Sequence, residues 1–197
     1  MRAALLLPVL TVVACAPGPG EGPGTRPGGA ALPLDAAVAR LPANVAGFTR
    51  GDAAWHERDT PGLGAAVDYA GPARSAVATV SLYDRGQAVT PGDPASPRVQ
   101  GEFAAAVADA VATAGTRTSQ QITERERSEL PVPGGPALSC ARLSGTYGRQ
   151  EVRTLLCLGT ADGRFLKVQV TAPARQVRPV DPIPFVIGIA QAARGQG

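Results

Sequence analysis

Two cysteines placed symmetrically about a two-residue turn constrain this chain more than any other feature. Gly148-Arg149 separates two strand-like runs, Ala137–Tyr147 and Gln150–Leu158. A two-residue hairpin turn pairs Tyr147 with Gln150, so opposed residues carry numbers that sum to 297. Cys140 and Cys157 obey that sum and stand directly opposite each other. Counting outward from the turn puts them at a non-hydrogen-bonded pair, where side chains approach most closely. The spacing therefore predicts an antiparallel hairpin whose strands a disulfide can bridge. Such a bridge closes a loop of about 17 residues and contributes around 3 kcal/mol on a chain-entropy account. A redox-active pair is the competing reading. Those pairs usually sit close in sequence, as Cys-x-x-Cys at a helix start, and this one does not.

The elements around the hairpin follow from periodicity and punctuation. Asp35 to Leu41 reads as a short helix, capped by Asp35 and stopped by Pro42. Phe48 to about Arg58 reads as a strand, then a Pro61-Gly62 turn, a strand over Ala65–Tyr69, and a third over Ala76–Asp84. Together these form an antiparallel meander. Ser96–Gly115 is the clearest helix, with Ser96 as cap, Pro97 in the first position and Gly115 as stop. Val99, Phe103, Ala106, Val107, Ala110, Val111 and Ala114 share one face of it, suited to lie on a sheet. Thr118 to Leu130 reads as a charged edge strand, with helix as the competing assignment. After the hairpin, the Ala161-Asp162-Gly163 turn leads to a strand over Phe165–Thr171. A last helix runs from near Asp181-Pro182 to about Arg194 and buries Phe185, Val186, Ile189 and Ala190. The expected fold class is α+β: an antiparallel sheet of six to seven strands packed by two to three helices.

The N-terminus carries an address. Met1-Arg2 is a minimal positive region, Ala3 to Val13 an apolar run, and Ala14 a small residue before Cys15. The apolar run is about eleven residues, against the roughly twenty a spanning helix needs, and Pro8 interrupts it. Val12-Val13-Ala14-Cys15 resembles the lipobox of bacterial lipoproteins, in which the cysteine is lipidated and becomes the first mature residue. A plain secretory signal cut elsewhere is the rival reading, as is a chance cysteine. The resemblance implies residues 1–14 as signal peptide and a diacylglyceryl thioether on Cys15, usually with an amide-linked third chain such as palmitate. Each buried CH₂ adds on the order of 0.8 kcal/mol, so two or three chains hold a protein on a membrane almost permanently. It also implies a place in the cell envelope. With Ala16 after the cysteine, that is the periplasmic side of the outer membrane in a Gram-negative host, or the outer face of the plasma membrane in a Gram-positive one. With Cys15 committed to lipid, Cys140 and Cys157 are left as an even pair in an oxidising compartment.

Residues 15–33 read as the lipidated cysteine and its tether, since PGPGEGPGTRPGG offers almost nothing to a core. About fifteen such residues at roughly 3 Å each could hold a domain some 45 Å from the lipid. Residues 34–195 then form a single α+β domain. Removing residues 1–14 from the 197 leaves 183 and takes away Arg2, lowering the formal charge from +3 to +2. The remaining basic residues are spread along the chain rather than gathered on a face, which argues against nucleic acid as a partner.

Catalytic chemistry has little to stand on. His56 is the only histidine, and no G-x-S-x-G elbow or similar frame accompanies it. With both core cysteines paired, it would be a solitary metal ligand. Glu124, Glu126 and Glu129 alternate with Arg125 and Arg127 and read as a solvated face. Asp52, Glu57, Asp59 and Asp68 flank the first hairpin without the spacing of a calcium loop. Trp55, Tyr69, Tyr83 and Tyr147 could line a groove, but aromatics on strands more often pack across the sheet. No catalytic residue, metal ligand set or cofactor is expected.

The order of strands, long helix, antiparallel strands and terminal helix resembles the α/β/α sandwich shared by an extrinsic subunit of photosystem II and a Ran-binding nuclear import factor. The resemblance covers roughly residues 45–194 and rests on element order, so it carries no functional residues. Its members are mostly binding or assembly proteins. The leading expectation is thus a non-enzymatic, lipid-anchored domain that binds or scaffolds another envelope component. The alternative is a small-molecule or lipid binder with a pocket between helix Ser96–Ala114 and the sheet. A carboxylate-dependent enzyme is the third reading.

Overall fold

The computed structural model describes residues 31–87, 93–115 and 120–196, with side chains in the long helix described as far as residue 112. Cys15, the signal segment and most of the tether lie outside the described residues, as do Thr118 and the side chain of Ala114.

One antiparallel sheet of eight strands dominates the fold. Its strands are β1 (Asn44–Val45), β2 (Phe48–Trp55), β3 (Ala65–Ala70), β4 (Val77–Tyr83), β5 (Gln120–Val132), β6 (Gly135–Tyr147), β7 (Gln150–Ala161) and β8 (Arg164–Pro173). They lie in the order β1-β2-β3-β4-β8-β7-β6-β5. Two four-stranded meanders therefore meet at a β4–β8 seam, where Val77 pairs with Thr171 and Tyr83 with Phe165. The helices are α1 (Leu34–Ala39), α2 (Pro97–Gly115) and α3 (Ile183–Ala193). The α+β class is as expected, but the sheet has eight strands rather than six to seven.

The additional strand is β1, two residues long and too short to leave a periodic signal. Ala46 and Gly47 both take positive φ, at 49° and 79°, and fold Asn44–Val45 back onto Phe48–Thr49. Such a primed turn matches the natural twist of antiparallel strands. β2 ends at Trp55 rather than near Arg58, because His56–Arg58 form a 3-10 turn. The Glu57 carboxylate locks that turn by accepting the Gly62 and Gly64 N–H groups at 2.8–3.0 Å. Of the 118–130 stretch, the described residues 120–130 are strand and belong to β5. Two register shifts bend it, one between Glu124 and Glu126 and one between Leu130 and Val132.

Alternation along the strands builds two cores. On one face, α1 and α3 cover Val67, Tyr69, Val80, Cys140, Cys157, Leu166 and Val168. Phe185 of α3 is completely buried there, its ring 4.3 Å from that of Phe48 and 5.2 Å from that of Tyr69. On the other face, α2 lays Val99, Phe103, Ala106 and Val107 over Leu143, Leu156, Leu158 and Phe165. The hydroxyl of Ser96 accepts the Val99 N–H and caps α2. At α1 the expected cap differs: Pro33 occupies that position, while Asp35 lies in the first turn and accepts the Ala36 N–H. Among the described residues no helix is long and apolar enough to cross a membrane.

Candidate functional site

The hairpin register is as the numbering predicts: Tyr147 faces Gln150 and Cys140 faces Cys157. The two cysteines have Cα atoms 4.1 Å apart and sulfurs at 2.08 Å, buried beneath α3. This position is wholly inside the core and offers no access to a redox partner.

The other residues singled out by sequence do not converge. His56 is exposed at the start of the 3-10 turn, where its carbonyl accepts the Asp59 and Thr60 N–H groups. Glu124 pairs with Arg127, and Glu126 stands 3.8 Å from Arg142. Glu57 is spent on its turn, and its two backbone donors, Gly62 and Gly64, hold its pKa below the usual carboxylate range. Asp68 accepts the Thr79 hydroxyl at 2.8 Å. Among the described residues, no group of three or more His, Cys, Asp or Glu side chains gathers in a metal-binding arrangement. The aromatics fall on different faces. Tyr69 is buried under α3 and donates to the Pro42 carbonyl at 2.8 Å. Tyr83 is buried on the α2 face, where its phenol is pushed far up by burial, with Glu102 adding to the effect. Trp55 is half-buried, with the Arg58 guanidinium 5.6 Å above its ring. Tyr147 is exposed at the hairpin end.

A different set of residues does converge. At the N-terminal end of α3 the sheet face opens into a cleft of about 430 Å³. Its floor is apolar, from Leu155, Val170 and Ala172, and its wall is the segment 179–183 leading into α3. Arg125, Arg142 and Arg153 form its other side. The hairpin explains how two of these meet. Arg142 opposes Leu155 and Ser144 opposes Arg153, so both guanidiniums project from the face that carries Cys140 and Cys157. Arg125 joins them from the β5 register shift, where its Nε donates to the Ser144 hydroxyl.

The electrostatics of the cleft are uneven. Three arginines face it against Asp181, and Asp181 already accepts the Ile183 N–H at 3.0 Å. Glu126 reaches only Arg142, and both side chains of that pair are 62% exposed. The Arg153 side chain makes no hydrogen bond or ion pair with any described residue. Diagonal neighbours across an antiparallel pair stand about 7–8 Å apart, where like charges in water repel by roughly 0.5 kcal/mol. The wall is fastened to the β3–β4 connection by Gln176, whose side chain donates to the Ser75 carbonyl and accepts the Val180 N–H.

Sequence reasoning missed this site because the arginines are far apart along the chain and looked dispersed. The signal that could have found two of them was the hairpin sum itself, which sets Arg153 diagonal to Arg142.

No protein-family model matches this chain, and no curated protein is significantly similar to it in sequence.

Proposed function

We propose that this protein is a lipid-anchored, non-enzymatic binding or scaffolding domain of the cell envelope, held by Cys15 and the 15–33 tether. The observation that carries the binding reading is the cleft at the start of α3: an apolar floor, a fastened wall and three guanidiniums. Recognition needs such a surface, with apolar area for affinity and a few placed polar groups for orientation. The lipobox-like Val12–Cys15 and the Pro/Gly-rich stretch support the anchor and its spacer. Helices on both faces of the sheet support the likeness to the α/β/α sandwich superfamily, whose members mostly bind or assemble.

The test is site-specific photo-crosslinking from position 180 in intact cells, followed by pull-down. A discrete crosslinked partner is the expected result. Crosslinks no different from those of an exposed position remote from the cleft would count against the reading.

Binding of a small molecule or lipid is the second reading, and the same cleft supports it, since its volume lies in the range of small-molecule sites. The site would then be opposite the expected one. Beneath α2, Phe103 and Val107 pack with Leu156 and Phe165 in a continuous core.

A further inference from the structure

We propose that the cleft at the N-terminal end of α3 takes an anionic amphiphile. Its phosphate or carboxylate head lies among Arg125, Arg142 and Arg153, and its apolar part lies on Leu155, Val170 and Ile183. This rests on the binding reading and names the ligand class for the same site.

Three features point to this chemistry. The first is convergence: β5, β6 and β7 each contribute one guanidinium to one side of one cleft. Guanidinium groups match phosphate and carboxylate geometry with paired N–H donors and stay charged at any relevant pH. The second is the lack of internal neutralisation. Asp181 is committed to the first turn of α3, and among the described residues the Glu126 carboxylate pairs only with Arg142, at 3.8 Å, while the Arg153 guanidinium has no partner. An anion would relieve the mutual repulsion of the three. The third is the floor. A site for a bare anion would be lined by polar groups, whereas Leu155, Val170, Ala172 and Ile183 present hydrocarbon next to the charges.

The amino end of α3 contributes little itself. Its Ile183 N–H is taken by Asp181, and Pro184 has no N–H to give. The arginines therefore carry the head-group recognition. Bringing an apolar body into the cleft also expels water, which strengthens the guanidinium–anion contacts.

The test uses the full-length chain kept unlipidated by Cys15→Ser, titrated calorimetrically with octyl phosphate below its micelle concentration. Octyl glucoside supplies the same tail without charge, and inorganic phosphate the head without a tail. The expected result is octyl phosphate binding at least tenfold tighter than either. The Arg142→Gln/Arg153→Gln double variant, altered only at exposed positions, should lose at least tenfold in affinity with its thermal midpoint unchanged. Ile183→Ser should weaken octyl phosphate while leaving inorganic phosphate unaffected. Equal binding of octyl phosphate and octyl glucoside would overturn the proposal, as would full affinity in the double variant.

Two sources of such a ligand are separated by flotation with phosphatidylcholine vesicles containing one-fifth phosphatidylglycerol. Arginine-dependent flotation assigns the head group to a bilayer lipid. Binding of the soluble probe without flotation assigns a free amphiphile. If octyl phosphate fails while a crosslinked protein partner is still recovered from position 180, this proposal falls and the binding reading stands.

Discussion

Gly64 shows how one residue can govern a whole corner of the sheet. Its φ is +62°, and a Cβ built on it would stand 1.8 Å from the Leu82 carbonyl oxygen. That neighbour is backbone in a paired strand and cannot step aside. Gly64→Ala should therefore cost roughly 2–5 kcal/mol, combining left-handed strain with overpacking, read as a lowered midpoint in urea unfolding. Glu57, closing the same corner, gives a pH-dependent counterpart. The Gly62 and Gly64 amides hold its pKa below the ordinary value, so its contribution is complete above about pH 4.5 and fades as pH falls through the depressed pKa. Glu57→Gln should be less stable than the parent at pH 7, and the two should converge near pH 3. Denaturation midpoints at both pH values check this, and a constant gap would show that the carboxylate charge is irrelevant.

At the scale of elements, the register of the β6–β7 hairpin was legible to the residue because a two-residue turn fixes which positions oppose, although the strands run past the expected Ala137 and Leu158 to Gly135 and Ala161. Its disulfide should contribute accordingly. Cys140→Ser with Cys157→Ser removes the cross-link and adds two hydroxyls to a buried site, so a loss of at least about 3 kcal/mol is expected from the link alone, measured by urea unfolding against the oxidised parent. The long helix was legible because its apolar face recurs over more than three turns. β1 was not, because two residues carry no period. What defines it is the Ala46-Gly47 turn and the seat of Val45 against Gly188, where a Cβ would come within 2.5 Å of Val45 Cγ2. The cleft was half legible. The hairpin sum places Arg142 and Arg153 on one face, but Arg125 arrives through a register shift. The wall, too, comes from an irregular stretch that no periodicity announces.

At the scale of the whole molecule, the proposed anchor and the folded domain make separable contributions. Cys15→Ser should move the protein from the membrane fraction to the soluble fraction without changing the domain's thermal midpoint, checked by fractionation and circular dichroism. Unaltered membrane fractionation would remove Cys15 as the anchor. The described chain enters the domain at Leu32, whose N–H is held at 2.9 Å by Asp162 in the β7–β8 turn. The sheet's seam has a further consequence, for the order of events in folding. β4 is finished early in synthesis, yet its outer partner is β8, the last strand to be made. Until then Val80 and Leu82, buried in the finished protein, lie beside an open row of N–H and C=O groups. Closing so long a loop is slow, typically milliseconds to seconds for sheets of this kind. The nascent first meander is thus the stage at which this chain is most exposed to aggregation, and completion of β8 is what ends it.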